Sequence, residues 1–145
     1  MAQSEIHVTI GISAPIELIF DLLTDHDGMS RWPGVSSCRL VREGRPRNGL
    51  GAIREVKALL TTLQEEVVRW EPPTRFDYTI IKGLPVKHLG VVTLVQYGSQ
   101  VLVSWDVSLN SAAPLVKVVG SVLKRGLPKA LAFVKKEAER LAAAR

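Results

Sequence analysis

Four residues in the middle of the chain carry side chains that can bind a polar group or move a proton. They are Arg54, Glu65, Tyr78 and His88. In one interpretation, Arg54 receives a carboxylate or phenolate while Glu65 accepts a hydrogen bond or acts as a general base. Tyr78 and His88 would then supply further hydrogen bonds and proton transfer. In the other, Arg54 and Glu65 neutralise each other, because burying either charge alone costs several kcal/mol. Four polar side chains do not define a mechanism, so no catalytic residue is assigned.

Other motifs in the chain do not indicate metal or nucleotide chemistry. The segment Asp25-His26-Asp27-Gly28 lacks the further oxygen ligands of a calcium loop. It is better interpreted as a helix junction in which Asp25 or Asp27 caps a second helix. The three histidines and one cysteine are too dispersed for a zinc site. Neither a dinucleotide fingerprint nor a nucleophile elbow is present. We therefore expect neither a metal nor a cofactor.

The elements that carry the four polar residues follow from hydrophobic periodicity. Alternating apolar residues predict a first strand over residues 3–12. Ser13 and Pro15 signal the start of a helix that ends at Thr24, and a short second helix is predicted from His26 to Arg31. Six more strands follow: Val35 to Arg42, Gly51 to Lys57, Thr62 to Trp70, Phe76 to Ile81, Lys87 to Tyr97, and Val101 to Leu109.

The short connections between the last five strands predict antiparallel hairpins, and symmetric hairpins fix their register. Turns are centred on Leu59-Leu60, Pro72-Pro73, Leu84 and Gly98-Ser99. These turns place Arg54 opposite Glu65, Val56 opposite Leu63, Glu65 opposite Ile80, Val67 opposite Tyr78, Ile80 opposite His88, and Val92 opposite Trp105. Cross-strand partners share a face, and side chains alternate along a strand. One face of the sheet therefore carries all these residues together with Val103 and Val107, and its mainly apolar composition is typical of a ligand cavity.

The last segment, from Pro114 to Arg145, predicts one long amphipathic helix. Its apolar stripe consists of Leu115, Val119, Val122, Leu123, Leu127, Leu131, Val134, Ala138 and Leu141. A long helix after a run of strands is expected to lie across one face of their sheet. Its basic residues are Lys117, Lys124, Arg125, Lys129, Lys135, Lys136 and Arg140. They form either a solvated face or a binding patch, and no run of aromatic residues alternates with them to stack on nucleic-acid bases.

Length and composition place the chain in a broad class. With 145 residues, of which 46% are hydrophobic, it is expected to form one domain spanning residues 1–145. No stretch approaches the length of a membrane span, and the N-terminus does not resemble a signal peptide. The lone Cys38 cannot form an internal disulfide, so the cytoplasm is the expected location.

Three tryptophans and one leucine pair have alternative interpretations. Trp32 is expected to fill the core beneath the small helices, whereas Trp70 is predicted on the opposite strand face to Glu65. The indole of Trp105 either stacks on a flat ligand or simply fills the core. Leu59-Leu60, at a hairpin tip, is either a hydrophobic lid or a packing contact with the final helix.

Several local motifs resemble the START-like helix-grip (SRPBCC) superfamily, and in particular its polyketide cyclase/dehydrase-like branch. The matching segments are APIELIFDLLTD, MSRWPGV, GLGAIREV, EEVVRWEPPTRFDY, VLVSWDV and the long final helix. The resemblance implies an α+β fold in which a seven-stranded antiparallel sheet grips the last helix around a cavity. Members of the superfamily bind lipids, sterols, polyketides or plant hormones, and a minority are enzymes. The fold alone does not fix the function.

These observations favour binding or transport of a small hydrophobic or aromatic ligand, such as a lipid or a polyketide-like molecule. A polyketide cyclase- or dehydratase-like enzyme and a protein-interaction role are the alternatives. We expect a small hydrophobic molecule as partner, no nucleic acid and no stable membrane insertion, and the sequence leaves the oligomeric state open. The expected ligand-binding residues are Arg54, Val56, Leu63, Glu65, Val67, Tyr78, Ile80, His88, Val92, Val103, Trp105, Val119, Leu123 and Leu127.

Overall fold

A computed structural model describes residues 2–58 and 61–144 of the chain. Seven strands, two α-helices and one short 3-10 helix follow one another in the predicted order. Their bounds are β1 (Ala2–Ile12), α1 (Ile16–Thr24), the 3-10 helix (Asp27–Arg31), β2 (Val35–Arg42), β3 (Ile53–Ala58), β4 (Thr61–Glu71), β5 (Arg75–Lys82), β6 (Lys87–Tyr97), β7 (Gln100–Ser111) and α2 (Ala113–Ala143). The leucine pair 59–60, interpreted above as a lid or a packing contact, lies outside the described residues.

The strands form one antiparallel sheet in the order β1-β7-β6-β5-β4-β3-β2. With the long C-terminal helix, this is the predicted helix-grip fold. The predicted pairs Arg54–Glu65, Val67–Tyr78, Glu65–Ile80 and Val92–Trp105 are confirmed, whereas the ladder between β5 and β6 ends at Tyr78–Gly90 and does not include the predicted pair of Ile80 and His88. The polar residues of interest therefore share one face of the sheet, which we call the inner face.

A β-bulge in β4 changes the side-chain alternation near the end of that strand. The register shifts between Val67 and Arg69, so Trp70 pairs with Phe76. Trp70 thus lies on the same face as Phe76, and the prediction that it faces away from Glu65 was wrong. The extra residue of a bulge reverses the alternation beyond it, and simple period-two counting does not include it.

The helix α1 closes one end of the inner face. Ile19, Phe20 and Leu23 are buried, as expected from their helical spacing. The ring of Phe20 packs edge-on against Trp70 and Phe76, with centroid distances of 5.1 and 5.9 Å. Aromatic contacts of this geometry stabilise a core beyond the area that they bury. Aromatic and aliphatic side chains therefore pack the inner face at its α1 end.

The helix α2 runs along β1, and its two halves are buried to different extents. In the C-terminal half, Leu127, Leu131, Val134 and Ala138 are buried as predicted. In the N-terminal half the buried residues are Val116 and Gly120, whereas the predicted stripe residue Val122 is 39% exposed. The remaining predicted stripe residues are half-buried, namely Leu115, Val119, Leu123 and Leu141.

The contacts of α2 with β1 explain this difference. An ideal Cβ on Gly120 would lie 3.4 Å from Ser4 Oγ, and Lys135 Nζ donates to the carbonyl oxygen of Gly11 at 2.6 Å. The helix is therefore rolled toward β1, which leaves the opposite flank with Val119 and Leu123 only half-covered. Pro128 lies between the two halves and has no N–H to donate to the carbonyl of Lys124. Among the described residues, no helix combines the length and apolar character needed to cross a bilayer.

Candidate functional site

The centre of the inner face holds a buried ion pair between β3 and β4. Arg54 is 4% exposed, and its Nε and Nη2 atoms both lie 2.8 Å from Oε1 of Glu65. The pairing follows directly from the register of the hairpin. Arg54 and Glu65 were predicted either to bind a ligand or to neutralise each other, and the geometry has them in direct contact.

The segment between α1 and β2 supplies the remaining partners of Arg54. Its Nη1 atom donates to His26 Nδ1 at 3.2 Å and to Met29 Sδ at 2.9 Å. Because Nδ1 of His26 accepts this hydrogen bond, the ring proton is on Nε2, which donates to the carbonyl oxygen of Asn48 at 2.9 Å. Burial, reinforced by the Arg54 charge, lowers the pKa of His26 to about 3. His26 is therefore a neutral imidazole near pH 7.

His26 and Met29 were not among the predicted site residues. Their segment is the predicted helix junction, in which Oδ1 of Asp25 accepts a hydrogen bond from the Gly28 N–H at 3.2 Å. A histidine and a methionine spaced three residues apart beside a helix end are a weak signal. Only the packing of the 3-10 helix against β2 brings them to Arg54 on the neighbouring strand.

Tyr78 lies beneath the guanidinium group and is neutral. The Cζ atom of Arg54 is 4.8 Å from the centroid of the Tyr78 ring, and Trp105 Nε1 donates to Tyr78 Oη at 2.9 Å. Burial raises the pKa of Tyr78, and the Glu65 charge raises it further. The ring lies against Gly90, where an ideal Cβ would stand 2.3 Å from the nearest ring atom. Only glycine at this position leaves room for Tyr78.

His88 lies at the point where β5 and β6 separate. The ladder of paired residues between these two strands ends at Tyr78 and Gly90. Beyond it, the N–H of Ile80 donates to Nδ1 of His88 at 3.3 Å, so the ring replaces a backbone acceptor. The ring proton is then on Nε2, and burial lowers the pKa of His88. Its centroid is 5.2 Å from that of Tyr78. His88 is thus a neutral donor beside the other three polar residues.

One acceptor of this cluster has no protein partner. Both contacts of Arg54 go to Oε1 of Glu65, and no group in residues 2–58 or 61–144 donates to Oε2. The Glu65 side chain retains 11% exposure. Among the described residues, the buried side-chain polar atoms that lack a partner are Asn48 Oδ1 and Asn110 Oδ1, so Glu65 Oε2 is in contact with solvent. Oε2 is therefore the atom at which a hydrogen-bond donor from outside the protein would be stabilised.

The other predicted site residues divide between a packed and an open end of the inner face. Val56, Val67, Val92, Val103, Trp105 and Leu127 are buried, whereas Leu63, Ile80, Val119 and Leu123 are half-buried. All four half-buried residues lie toward the end remote from α1. Their half-burial indicates an open region between Leu63 and Ile80 on the sheet and Val119 and Leu123 on α2, which we call the cleft. The rings of Trp32 and Trp105 pack edge-on, with their centroids 6.1 Å apart.

Two surface hollows bounded by the described residues lie away from this polar cluster. One of about 440 Å³ is bounded by α1, the loop between β2 and β3, and Trp70. Another, of about 310 Å³, touches His88 but is lined chiefly by outward-facing residues of β1, β6 and β7. Neither contains the Arg54–Glu65 pair. The described ranges contain no group of three His, Cys, Asp or Glu side chains that would hold a metal ion.

Comparisons with known proteins give one family and many similar folds. Residues 3–144 match the model of a family described as polyketide cyclase / dehydrase and lipid transport. A comparison with curated protein sequences gives no match.

Three solved structures illustrate the similarity in fold. A START superfamily protein from Mycobacterium smegmatis has a TM-score of 0.74 at 17% identity, with 94% of this chain and 98% of that chain covered. Ginseng major latex-like protein 151 from Panax ginseng has a TM-score of 0.77 at 16% identity, covering 94% and 97%. Norcoclaurine synthase from Thalictrum flavum, in complex with dopamine and hydroxybenzaldehyde, has a TM-score of 0.72 at 14% identity, covering 94% and 86%. At these identities the similarity shows the fold alone.

The first prediction concerns the energetic coupling of Arg54 and Glu65. Arg54→Met and Glu65→Gln should each lower the free energy of unfolding by about 3–5 kcal/mol, because each strands a buried polar partner. The double variant should lose clearly less than the sum of the two. Urea denaturation of the four proteins measures the coupling, and additive losses would show that the ion pair does not form.

The neutral state of buried His26 makes the stability of the fold depend on pH. The folded pKa of this histidine, about 3, lies below the ordinary value of about 6.5, so between these values the unfolded chain binds the proton more readily. The free energy of unfolding should therefore fall as pH decreases through this window, by up to about 1.4 kcal/mol per pH unit for one group. His26→Gln keeps an acceptor for Arg54 without the titration. It should show a shallower slope between pH 6 and 5 in urea denaturation, and an unchanged slope would contradict the assignment.

Proposed function

The chain belongs to the polyketide cyclase, dehydrase and lipid-transport family, and we propose that it binds a small hydrophobic or aromatic molecule in the cleft. Half-buried aliphatic side chains line both walls of the cleft, with Leu63 and Ile80 on the sheet and Leu123 on α2. The rings of Tyr78 and Trp105, which are hydrogen-bonded to each other, lie on the same inner face. Apolar walls with a few convergent polar groups are typical of small-molecule sites.

The observation that carries the proposal is the unpaired Oε2 atom of Glu65. A ligand hydroxyl or phenol can donate a hydrogen bond to this atom. The same hydroxyl can accept a hydrogen bond from Nε2 of His88, because Nδ1 of that ring already accepts from the N–H of Ile80. Arg54 is committed to Glu65, His26 and Met29, so it has little capacity left for a ligand anion. We therefore assign ligand recognition to Glu65 rather than to Arg54, and a neutral donor rather than a carboxylate as the preferred ligand group.

Binding or transport is favoured over catalysis by the state of the proton-carrying groups. His26 is buried, neutral and hydrogen-bonded on both nitrogens. Burial lowers the pKa of His88 and raises that of Tyr78, which moves both away from the range useful for proton transfer near pH 7. A cyclase- or dehydratase-like activity is the second candidate, because Glu65 on β4 and His88 on β6 offer an acceptor and a donor on the same inner face.

The proposal is tested with two probes of the same shape. The wild-type protein should bind 2-naphthol, which is neutral at pH 7, about tenfold or more tightly than 2-naphthoate, a difference of about 1.4 kcal/mol. Glu65→Gln should reverse this preference, because Arg54 then keeps its charge without a buried counterion. Fluorescence titration measures both affinities.

Glu66→Gln is the matched control. It makes the same chemical change one residue along β4, on the outer face, where Glu66 pairs with Arg42. It should leave the preference for naphthol unchanged. Equal affinity for the two probes in the wild-type protein, or the same effect from both glutamine variants, would contradict the assignment to Glu65.

The position of the ligand is tested by filling the cleft. Leu123→Trp should weaken naphthol binding at least severalfold, while overpacking costs about 1–3 kcal/mol of stability. Val118→Trp, on the exposed side of the same helix, should leave binding unchanged. Unchanged affinity in a folded Leu123→Trp variant would place the probe outside the cleft.

A further inference from the structure

The part of α2 from Lys117 to Lys129 presents an exposed surface that combines basic and aliphatic side chains. We call it the basic helix surface, and it consists of Lys117, Val118, Val122, Lys124, Arg125 and Lys129. Val118, Val122, Arg125 and Lys129 are spaced at steps of four, three and four residues, so they form one stripe on the side of α2 turned away from the sheet. Val118 is 62% exposed.

Charge is distributed very unevenly along the chain. Between Asp106 and Glu137 there are six lysines and arginines and no acidic residue. The rest of the chain then holds thirteen of the nineteen basic residues and all fourteen acidic ones, a net charge of −1. The formal charge of +5 therefore arises entirely from this segment.

The basic residues of the two halves of α2 differ in their partners. In the C-terminal half, Lys135 pairs with Glu139 and Arg140 pairs with Glu137, whereas no ion pair within the described residues involves Lys136. Within the part of the chain that the structure describes, no carboxylate lies within ion-pair distance of the four basic residues of the basic helix surface. Their charges are thus available to an external anion.

We infer that the basic helix surface docks the protein peripherally on an anionic lipid membrane. A helix that combines lysine and arginine with exposed aliphatic side chains matches the headgroup region of such a bilayer, where the cations meet phosphates and the valines leave water. Nucleic acid fits less well, because the surface offers valines in place of aromatic rings or amides that would contact bases. The charge complementarity, rather than the apolar area, is the main argument for this occupant.

The surface lies beside the cleft. Val119 and Leu123 directly follow Val118 and Val122 in the sequence, so these cleft residues lie about 100° around the helix from the two valines, on the flank of α2. The docking itself rests on the charges and does not depend on the proposed ligand site. If both hold, a hydrophobic ligand passes between membrane and cleft with little exposure to water.

Vesicle co-sedimentation tests the inference with defined lipids. The full chain should bind vesicles of phosphatidylcholine with a quarter phosphatidylglycerol, and should bind vesicles of phosphatidylcholine alone far more weakly. Lys124→Gln combined with Arg125→Gln should weaken binding to the anionic vesicles by about ten- to thirtyfold, since each basic residue near the surface contributes about one factor of five. Val118→Ser combined with Val122→Ser should weaken it severalfold.

Arg39→Gln combined with Arg45→Gln is the matched control. It removes the same charge from β2 and the loop after it, at the opposite edge of the sheet from β1 and α2. This variant should bind the anionic vesicles like the wild-type protein. Equal weakening by both charge variants would overturn the inference, because net charge alone would then explain the binding. So would equal affinity for the neutral vesicles, or tighter binding to a duplex oligonucleotide than to anionic vesicles.

Naphthol binding separates this inference from the proposed function. The Lys124→Gln/Arg125→Gln variant should bind 2-naphthol like the wild-type protein, because neither residue lines the cleft. Loss of vesicle binding with intact naphthol binding in this variant supports docking as a separate property. Absence of naphthol binding in a wild-type protein that binds anionic vesicles overturns the ligand site and leaves the docking surface in place.

Discussion

A guanidinium group buried in the middle of an apolar sheet face must be neutralised and hydrogen-bonded, and much of this structure meets that requirement. Glu65 supplies the counter-charge from the neighbouring strand, and Tyr78 supplies a ring beneath the cation. His26 and Met29 supply acceptors from the 3-10 segment. The buried charge therefore joins two strands of the sheet to a segment that has no hydrogen-bond ladder of its own. Removing any partner leaves the cation short of a contact that water cannot replace.

The fold and the strand register were predictable because both follow from simple alternation. Once a turn is centred, every pair along the hairpin is fixed, and this placed Arg54 against Glu65 correctly. Counting failed where the alternation is interrupted, as at Trp70, whose face is reversed by a bulge. It also missed His26, since a contact between residues 28 positions apart depends on how one segment docks on another. Local periodicity carries no information on such docking.

The two ends of the inner face differ in what they contribute. At the α1 end, aromatic and aliphatic side chains pack the inner face and provide the stability of the fold. The other end keeps half-buried aliphatic residues and a carboxylate oxygen without a protein donor. These features contribute less to the stability of the fold than fully packed side chains would. Proteins retain such incompletely packed surfaces at binding sites, because the packed region makes the fold stable enough to carry them.

Pro128 has a consequence for how the cleft could open. It removes one hydrogen bond from α2 at the boundary between the halves, so bending the helix there costs less than at any intact turn. The C-terminal half is fixed by Leu131, Val134 and Ala138, whereas the N-terminal half is held mainly through Val116 and Gly120. Widening the cleft by separating strands would break a whole ladder of backbone hydrogen bonds. A bend of α2 at Pro128 breaks none of them, so this proline is the point at which the helix deforms at the lowest cost.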